Sequence, residues 1–271
     1  MKAFKIFTIL VVSVLLLVFA MPAGAITDGT LDDNGHPFVG LMVAKDGLGA
    51  PLWRCSGTLL SPTVFLTAGH CTEAPAVSAT IWFEADVQAL GYDLSNPNMY
   101  PNGGPTTVNG KTYTHPDFAF PRFDVGVVVL DQSVTKDTYG VLPTLNQLDA
   151  LKTKRGQQDL TFTAVGYGLQ KSFPDAAAWK DSALKVRMVA HPKLNQINAP
   201  GFTGDFSLLL SNNAATGGTC FGDSGGPNFL GNSNVIAGVT SYGLNSNCAG
   251  TGGVFRMDRK AALDFVNTFL P

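Results

Sequence analysis

The sequence predicts an all-β protein, built as antiparallel barrels or as a sandwich. Short apolar runs rich in β-branched and aromatic residues recur along most of the chain, and clusters of Gly, Pro and Asn separate them. Helical spacing of apolar residues is convincing only at the C-terminus. Strand following strand without intervening helices does not fit an alternating α/β arrangement.

Taken in order, the chain opens on Lys2 and Lys5, an apolar run Ile6–Met21, and Ala23-Gly24-Ala25. A basic start, an apolar centre and a small-residue cleavage site read as a secretory signal peptide over residues 1–25. A retained membrane anchor is the rival, but the run is short for a span and stops at Pro22. No cysteine follows the cleavage point, so nothing suggests a lipid anchor. Removing 25 of the 271 residues leaves 246, enough for one large all-β unit or two small ones.

Strands are expected at Phe38–Ala44, Trp53–Leu60, Val64–Ala68, Ala79–Phe83 and Val125–Leu130. A second series follows at Leu160–Val165, Leu184–Val189, Phe206–Leu210, Val235–Tyr242 and Val254–Met257. Between them, Tyr92–Lys111 is rich in Asn, Pro and Gly and is expected to be a surface loop. A polar stretch from Asp131 to Asp159 marks a boundary, giving an N-terminal half over 26–135 and a C-terminal half over 136–271. The terminal helix carries Ala262, Leu263, Val266, Phe269 and Leu270 at helical spacing, with Asp258 as its cap.

The formal net charge is −2 and only 14% of residues are charged, so no basic stripe argues for nucleic acid. Four cysteines in a secreted chain are most economically two disulfides, and spacing alone leaves three pairings open. No Cys-x-x-Cys spacing or matching histidine pair supports a metal, and Glu84, Asp86 and Asp93 lack the alternation of a calcium loop.

The segment Cys220-Phe221-Gly222-Asp223-Ser224-Gly225-Gly226-Pro227 carries the chemistry. Glycines around Ser224 permit a tight turn that can aim the N–H groups of Gly222 and Ser224 at a developing oxyanion. A serine nucleophile needs an imidazole base, and the base needs a carboxylate. Of the four histidines, His36, His115 and His191 each precede a proline in polar, turn-like settings and read as structural or solvated. His70 instead ends the apolar run Val64–Ala68 through Gly69, where a rigid strand would present its ring. Asp124 opens the apolar run Val125–Leu130 and is the candidate carboxylate; Asp131, at the other end, reads as an exposed charge.

These motifs, in the order Leu66-Thr67-Ala68-Gly69-His70-Cys71, Asp124-Val125-Gly126-Val127 and Gly222-Asp223-Ser224-Gly225-Gly226-Pro227, resemble those of the trypsin and chymotrypsin family of serine endopeptidases. The resemblance runs from about Ile26 to the C-terminus. It implies two antiparallel six-stranded β-barrels packed around a cleft, with a C-terminal α-helix, and a triad of His70, Asp124 and Ser224. Ser241-Tyr242-Gly243 would line the substrate cleft, with Ser241 bonded to the triad carboxylate. The implied disulfides are Cys55 with Cys71 and Cys220 with Cys248. Gly218 would floor the primary pocket beside Thr219, with Gly243 and Gly253 on its walls, so no carboxylate awaits Lys or Arg. Large uncharged or apolar residues are expected at the cleaved position. Thr240 stands where glutamate-specific relatives carry a histidine, which disfavours acidic ones.

Cleavage after Ala25 exposes Ile26, and the resemblance implies that this new amino end pairs with Asp223. Cleavage site and activation site then coincide, with no separate activation peptide. The expected protein is thus a secreted (extracellular or periplasmic) serine endopeptidase, monomeric, without cofactor, metal or membrane anchor, acting on protein or peptide substrates. A catalytically silent binding module on the same fold is the alternative, and a lost triad residue or blocked pocket would mark it. An esterase would need a strand-to-helix elbow in an α/β pattern, which the surrounding strands do not supply.

Overall fold

The structure, a computed structural model, describes residues 26–93, 95–151, 160–173 and 184–271; the expected signal peptide lies outside them. The first half contains β1 (Thr30–Leu31), β2 (Val39–Lys45), β3 (Pro51–Ser61), β4 (Val64–Thr67), β5 (Ser78–Trp82), β6 (Val108–Thr114) and β7 (Gly126–Leu130), with the one-turn helix α1 (Gly69–Thr72) after β4. The second contains β8 (Phe162–Gly166), β9 (Met188–Ala190), β10 (Leu194–Ala199), β11 (Gly204–Asn212), β12 (Pro227–Leu230), β13 (Ile236–Gly243), β14 (Gly250–Arg256) and the helix α2 (Lys260–Asn267).

Strands β2 to β7 close a six-stranded antiparallel barrel in the order β2-β3-β4-β7-β6-β5. Closure leaves no unpaired edge, and strand residues such as Leu41, Leu59, Phe65, Leu66, Ile81 and Val127 are fully buried. The second unit is an eight-stranded sheet, β1-β9-β8-β12-β13-β14-β11-β10, that curls into a half-barrel. The start of β10, at one end of the sheet, returns to the start of β8, where Thr161 bridges Lys193 and the Leu194 N–H donates to the Leu160 carbonyl at 3.0 Å.

The two halves exchange their ends. β1 leaves the N-terminal side to pair with β9 of the second sheet. α2 returns from the C-terminus, where Phe265 lies 5.2 Å from the His115 ring and Phe269 lies 4.9 Å from that of Tyr113.

β1, β6, β10 and β12 were not expected from the sequence. β6 reads Val-Asn-Gly-Lys-Thr-Tyr-Thr and begins inside the segment expected as a loop, because an edge-on barrel strand can carry polar residues on its outer face. β10, Leu-Asn-Gln-Ile-Asn-Ala, is equally polar, and β12 starts on Pro227, where a missing N–H is tolerated. Asp258 does not cap α2. The N-cap is Arg259, with no side-chain cap, while buried Asp258 accepts from Arg256 at 2.7 and 2.9 Å and from the Leu148 N–H at 2.8 Å. The carboxylate is turned inward to satisfy a buried guanidinium, a stronger demand than an exposed helix end.

A second buried guanidinium sits at the seam. Arg187, fully buried, donates to Asp32 Oδ2 at 2.8 Å, to the carbonyls of Val39 and Phe83, and to Tyr167 Oη. Burial pushes Asp32 up, but hydrogen bonds from His36 and Arg187 outweigh it and hold its carboxyl below the usual range. Removing one partner strands the other in the interior. Arg187→Ala is therefore expected to lower unfolding free energy by about 3–5 kcal/mol, read by denaturant titration.

Candidate active site

The site is assembled from both units. β4 ends at Thr67 and the chain turns into α1, which carries His70 as its second residue. β7 begins immediately after Asp124-Val125, so the carboxylate stands at the mouth of the barrel, yet Asp124 is fully buried. A buried carboxylate requires donors, and three groups provide them. His70 donates its backbone N–H to Oδ1 at 2.9 Å and turns Nδ1 to Oδ1 and Oδ2 at 3.1 and 2.9 Å. Ser241, on β13 of the other unit, donates its hydroxyl to Oδ2 at 2.5 Å. Because Nδ1 faces the carboxylate, the imidazole is fixed as the Nδ1–H tautomer when neutral, leaving Nε2 as a base.

His70 and Ser224 line one cavity of about 610 Å³ together with Thr219, Ser241, Tyr242 and Gly243. No hydrogen bond joins Ser224 Oγ to the His70 ring among the described residues; such bonds commonly tighten only once substrate arrives. None of the other three histidines lines the cavity. His36 pairs with Asp32 at 2.5 Å, His115 is buried beside Phe123 and held down by that burial, and His191 is exposed.

The nucleophile loop has the backbone expected of an anion receptor. Gly222 has φ +95° and Gly225 φ +77°, and a Cβ on Gly225 would fall 2.0 Å from Thr67 Oγ1, so glycine is required there. Among the described residues, neither the Gly222 N–H nor the Ser224 N–H donates to a protein acceptor. Two donors without partners beside a serine hydroxyl suit a developing oxyanion.

Two pocket glycines sit differently from the expectation that they form its floor and walls. Gly218 pairs with Thr27 and is absent from the cavity lining, and a Cβ there would fall 2.3 Å from Asn212 Cγ. The Cβ position of Gly253 is filled by the Tyr242 ring at 2.2 Å. Sequence reasoning also passed over Phe120, whose ring meets His70 edge-on at 5.5 Å, and over Phe221, exposed on the cavity rim. An isolated exposed aromatic has no pattern by which a single sequence can reveal it.

The disulfides join Cys55 to Cys71, next to His70, and Cys220 to Cys248, between the nucleophile loop and the cavity wall. Cys55, His70 and Cys71 lie close enough to hold a metal, but the two sulfurs are bonded to each other, leaving one imidazole.

Ile26 is fully buried against Ala164, Met188 and Ala190, and Thr27 donates its hydroxyl to Asn212 at 2.7 Å. Asp223, also fully buried, accepts N–H groups from Cys220 at 2.9 Å and Gly168 at 2.7 Å, with no ion pair among the described residues. Burial dominates and pushes its carboxyl up to about 7, against the pull of those N–H groups and of the Arg54 charge. A carboxyl raised in the folded state takes up a proton on folding, so stability must fall as pH rises through the interval between its unfolded and folded pKa. The full-length chain should lose stability between about pH 4 and about pH 7, and Asp223→Asn should flatten that decline in chemical denaturation at stepped pH.

Comparisons with known proteins place the chain in a family. The family model described as Trypsin matches residues 30–261. A trypsin of Saccharopolyspora erythraea is 25% identical, covering 81% of this chain and 87% of its own length. A chymotrypsin of Phaedon cochleariae is 25% identical, covering 81% of this chain and 72% of its own. Among solved structures, HL collagenase aligns with a TM-score of 0.65 at 20% identity, over 91% of this chain and 100% of that one. Human heparin binding protein aligns at 0.56 and 17% identity, over 86% and 91%. At such identities the structural likenesses establish the fold.

Proposed function

Because the chain belongs to the trypsin family of serine proteases, we propose that it is a secreted endopeptidase that cleaves peptide bonds through an acyl-enzyme on Ser224. His70 Nε2 takes the proton of Ser224 Oγ as that oxygen attacks the substrate carbonyl, and the new oxyanion is held by the Gly222 and Ser224 N–H groups. His70 then gives the proton to the leaving amine. A water molecule, deprotonated by the same nitrogen, attacks the acyl carbonyl, and collapse of the second oxyanion returns Ser224. Asp124 keeps the ring oriented and stabilises its charged form. The hydrogen-bonded series from Ser241 through Asp124 to His70, opening on the cavity shared with Ser224, is the main support.

The preferred substrate carries a large uncharged or apolar residue at the cleaved position. In support, Thr219, Ser241, Tyr242, Gly243, Asn245 and Ser246 bring no charge to the lining. Glu73, the carboxylate among the described lining residues, sits at the C-cap of α1, on the His70 side. A lysine or arginine entering beyond Ser241 would lose its hydration without a partner.

Activity would begin with release of the Ile26 amino end by signal peptidase, supplying the cation that Asp223 lacks. The complete burial of both residues supports this pairing. Secretion accords with the two disulfides, Cys55–Cys71 and Cys220–Cys248.

Labelling, peptide cleavage and N-terminal sequencing test these proposals. Purified protein should react with a fluorophosphonate and cleave chromogenic peptides ending in Phe or Leu at least about tenfold better than those ending in Arg or Glu. Ser224→Ala should abolish labelling and lower kcat roughly a millionfold; labelling that persists in the folded variant would break the assignment, and no labelling of the unchanged protein would favour a silent binding module. N-terminal sequencing of secreted material should begin at Ile26. Any other start would sink the proposed amino-end pair.

A further inference from the structure

Four consecutive peptide groups surround the nucleophile, and their hydrogen bonds fall into a pattern. In the group between Phe221 and Gly222, the carbonyl accepts from the Leu169 N–H at 2.9 Å. Between Gly222 and Asp223, the carbonyl accepts from Ser56 Oγ at 2.9 Å and the N–H donates to Cys220 at 3.0 Å. Between Asp223 and Ser224, the carbonyl accepts from the Gly226 N–H at 2.8 Å. Between Ser224 and Gly225, the carbonyl accepts from the Ser56 N–H at 2.8 Å and the N–H donates to Thr240 at 2.8 Å. Every carbonyl is held, and the two N–H groups without partners are those of Gly222 and Ser224.

One residue of the first barrel, Ser56 on β3, thus holds the carbonyls of both, one by its side chain and one by its backbone. Ser56 is fully buried. Its Oγ accepts the Tyr167 N–H at 3.0 Å, which leaves its hydrogen for the Gly222 carbonyl. Its own carbonyl accepts from Thr67 Oγ1 at 2.8 Å, three residues before His70. Gly222, with φ +95° and no Cβ, offers little intrinsic resistance to rotation of the peptide that follows it.

We propose that the Ser56 hydroxyl is a positioning residue: it fixes the Gly222–Asp223 peptide, which joins the two peptide groups that carry the free N–H groups, and so sets their spacing and direction. The assignment rests on the peptidase reading above and deepens it. Without the hydroxyl, the Gly222 carbonyl has no donor and the turn samples orientations in which its N–H misses the oxyanion. Binding of the substrate ground state depends on the cavity and is spared.

Ser56→Ala tests this, with kcat, KM and the inhibition constant of a peptide aldehyde, whose hemiacetal adduct places an oxygen at the oxyanion position, measured on the folded fraction. Expected are a kcat loss of roughly tenfold to a hundredfold, less than for outright loss of a donor, with KM changed by less than about threefold. Aldehyde affinity should fall by the same factor as kcat, and Ser56→Thr, which restores a hydroxyl, should recover most of both. If Ser56→Ala does not fold, Ser56→Cys, with a weaker donor in the same space, is read in the same way. Wild-type kcat in either folded variant, or a kcat loss with unchanged aldehyde affinity, would overturn the assignment alone. An unchanged protein that neither cleaves peptides nor binds the aldehyde would bring down the peptidase reading and this assignment together.

Discussion

A carboxylate with no access to water must be surrounded by donors, and Asp124 obtains them from both halves of the molecule. His70 reaches it from α1, one turn beyond the barrel strand β4, while Ser241 reaches it from β13 across the seam. Losing a donor from a buried charge costs several kcal/mol, so the three elements cannot drift independently. The relative placement of barrel and half-barrel is therefore also the placement of His70 and Ser224. Around this point the remaining polar contacts of the seam fall into line, including the Arg187 cluster and the backbone contact of Ser56 with the nucleophile loop.

The second buried aspartate of the site is provisioned in the opposite sense. Asp223 has two backbone N–H groups and the field of Arg54, which do not offset the loss of water, so its carboxyl is pushed up to about 7. Asp124 joins His70 to Ser241 and has all its donors within the chain. Its counterpart lies one residue before the nucleophile and is left short of positive charge. The difference is one of supply rather than burial, since both are wholly enclosed.

What the sequence revealed followed from patterns that physics forces into short stretches. Apolar runs such as Val125–Leu130 must be strands in a buried barrel, and Asp124, polar at the head of such a run, was legible because few buried aspartates lack a task. The strands β6 and β10 escaped because they alternate weakly and owe their conformation to neighbours distant in sequence. Asp258 illustrates a different blindness: a helix cap and a buried ion pair ask for the same residue type, and only three-dimensional proximity to Arg256 decides between them. Gly218 faces Asn212, and Gly253 faces Tyr242, for the same reason. Ser56 has no motif of its own; its importance lies in a hydrogen bond spanning 166 positions.

The terminal helix has a consequence for how the protein is made. Ala262 and Val266 lie in the same buried cluster as Leu41, Phe65 and Val127, and Phe265 and Phe269 stack beside His115 and Tyr113 of the first barrel. A chain made from its amino end presents all the strands of that barrel early, but the apolar surface that α2 covers stays open until α2 itself has been made. Until then the barrel is a vessel without its lid, exposed to wrong partners. Loss of α2 would therefore be felt first in the half of the molecule synthesised first.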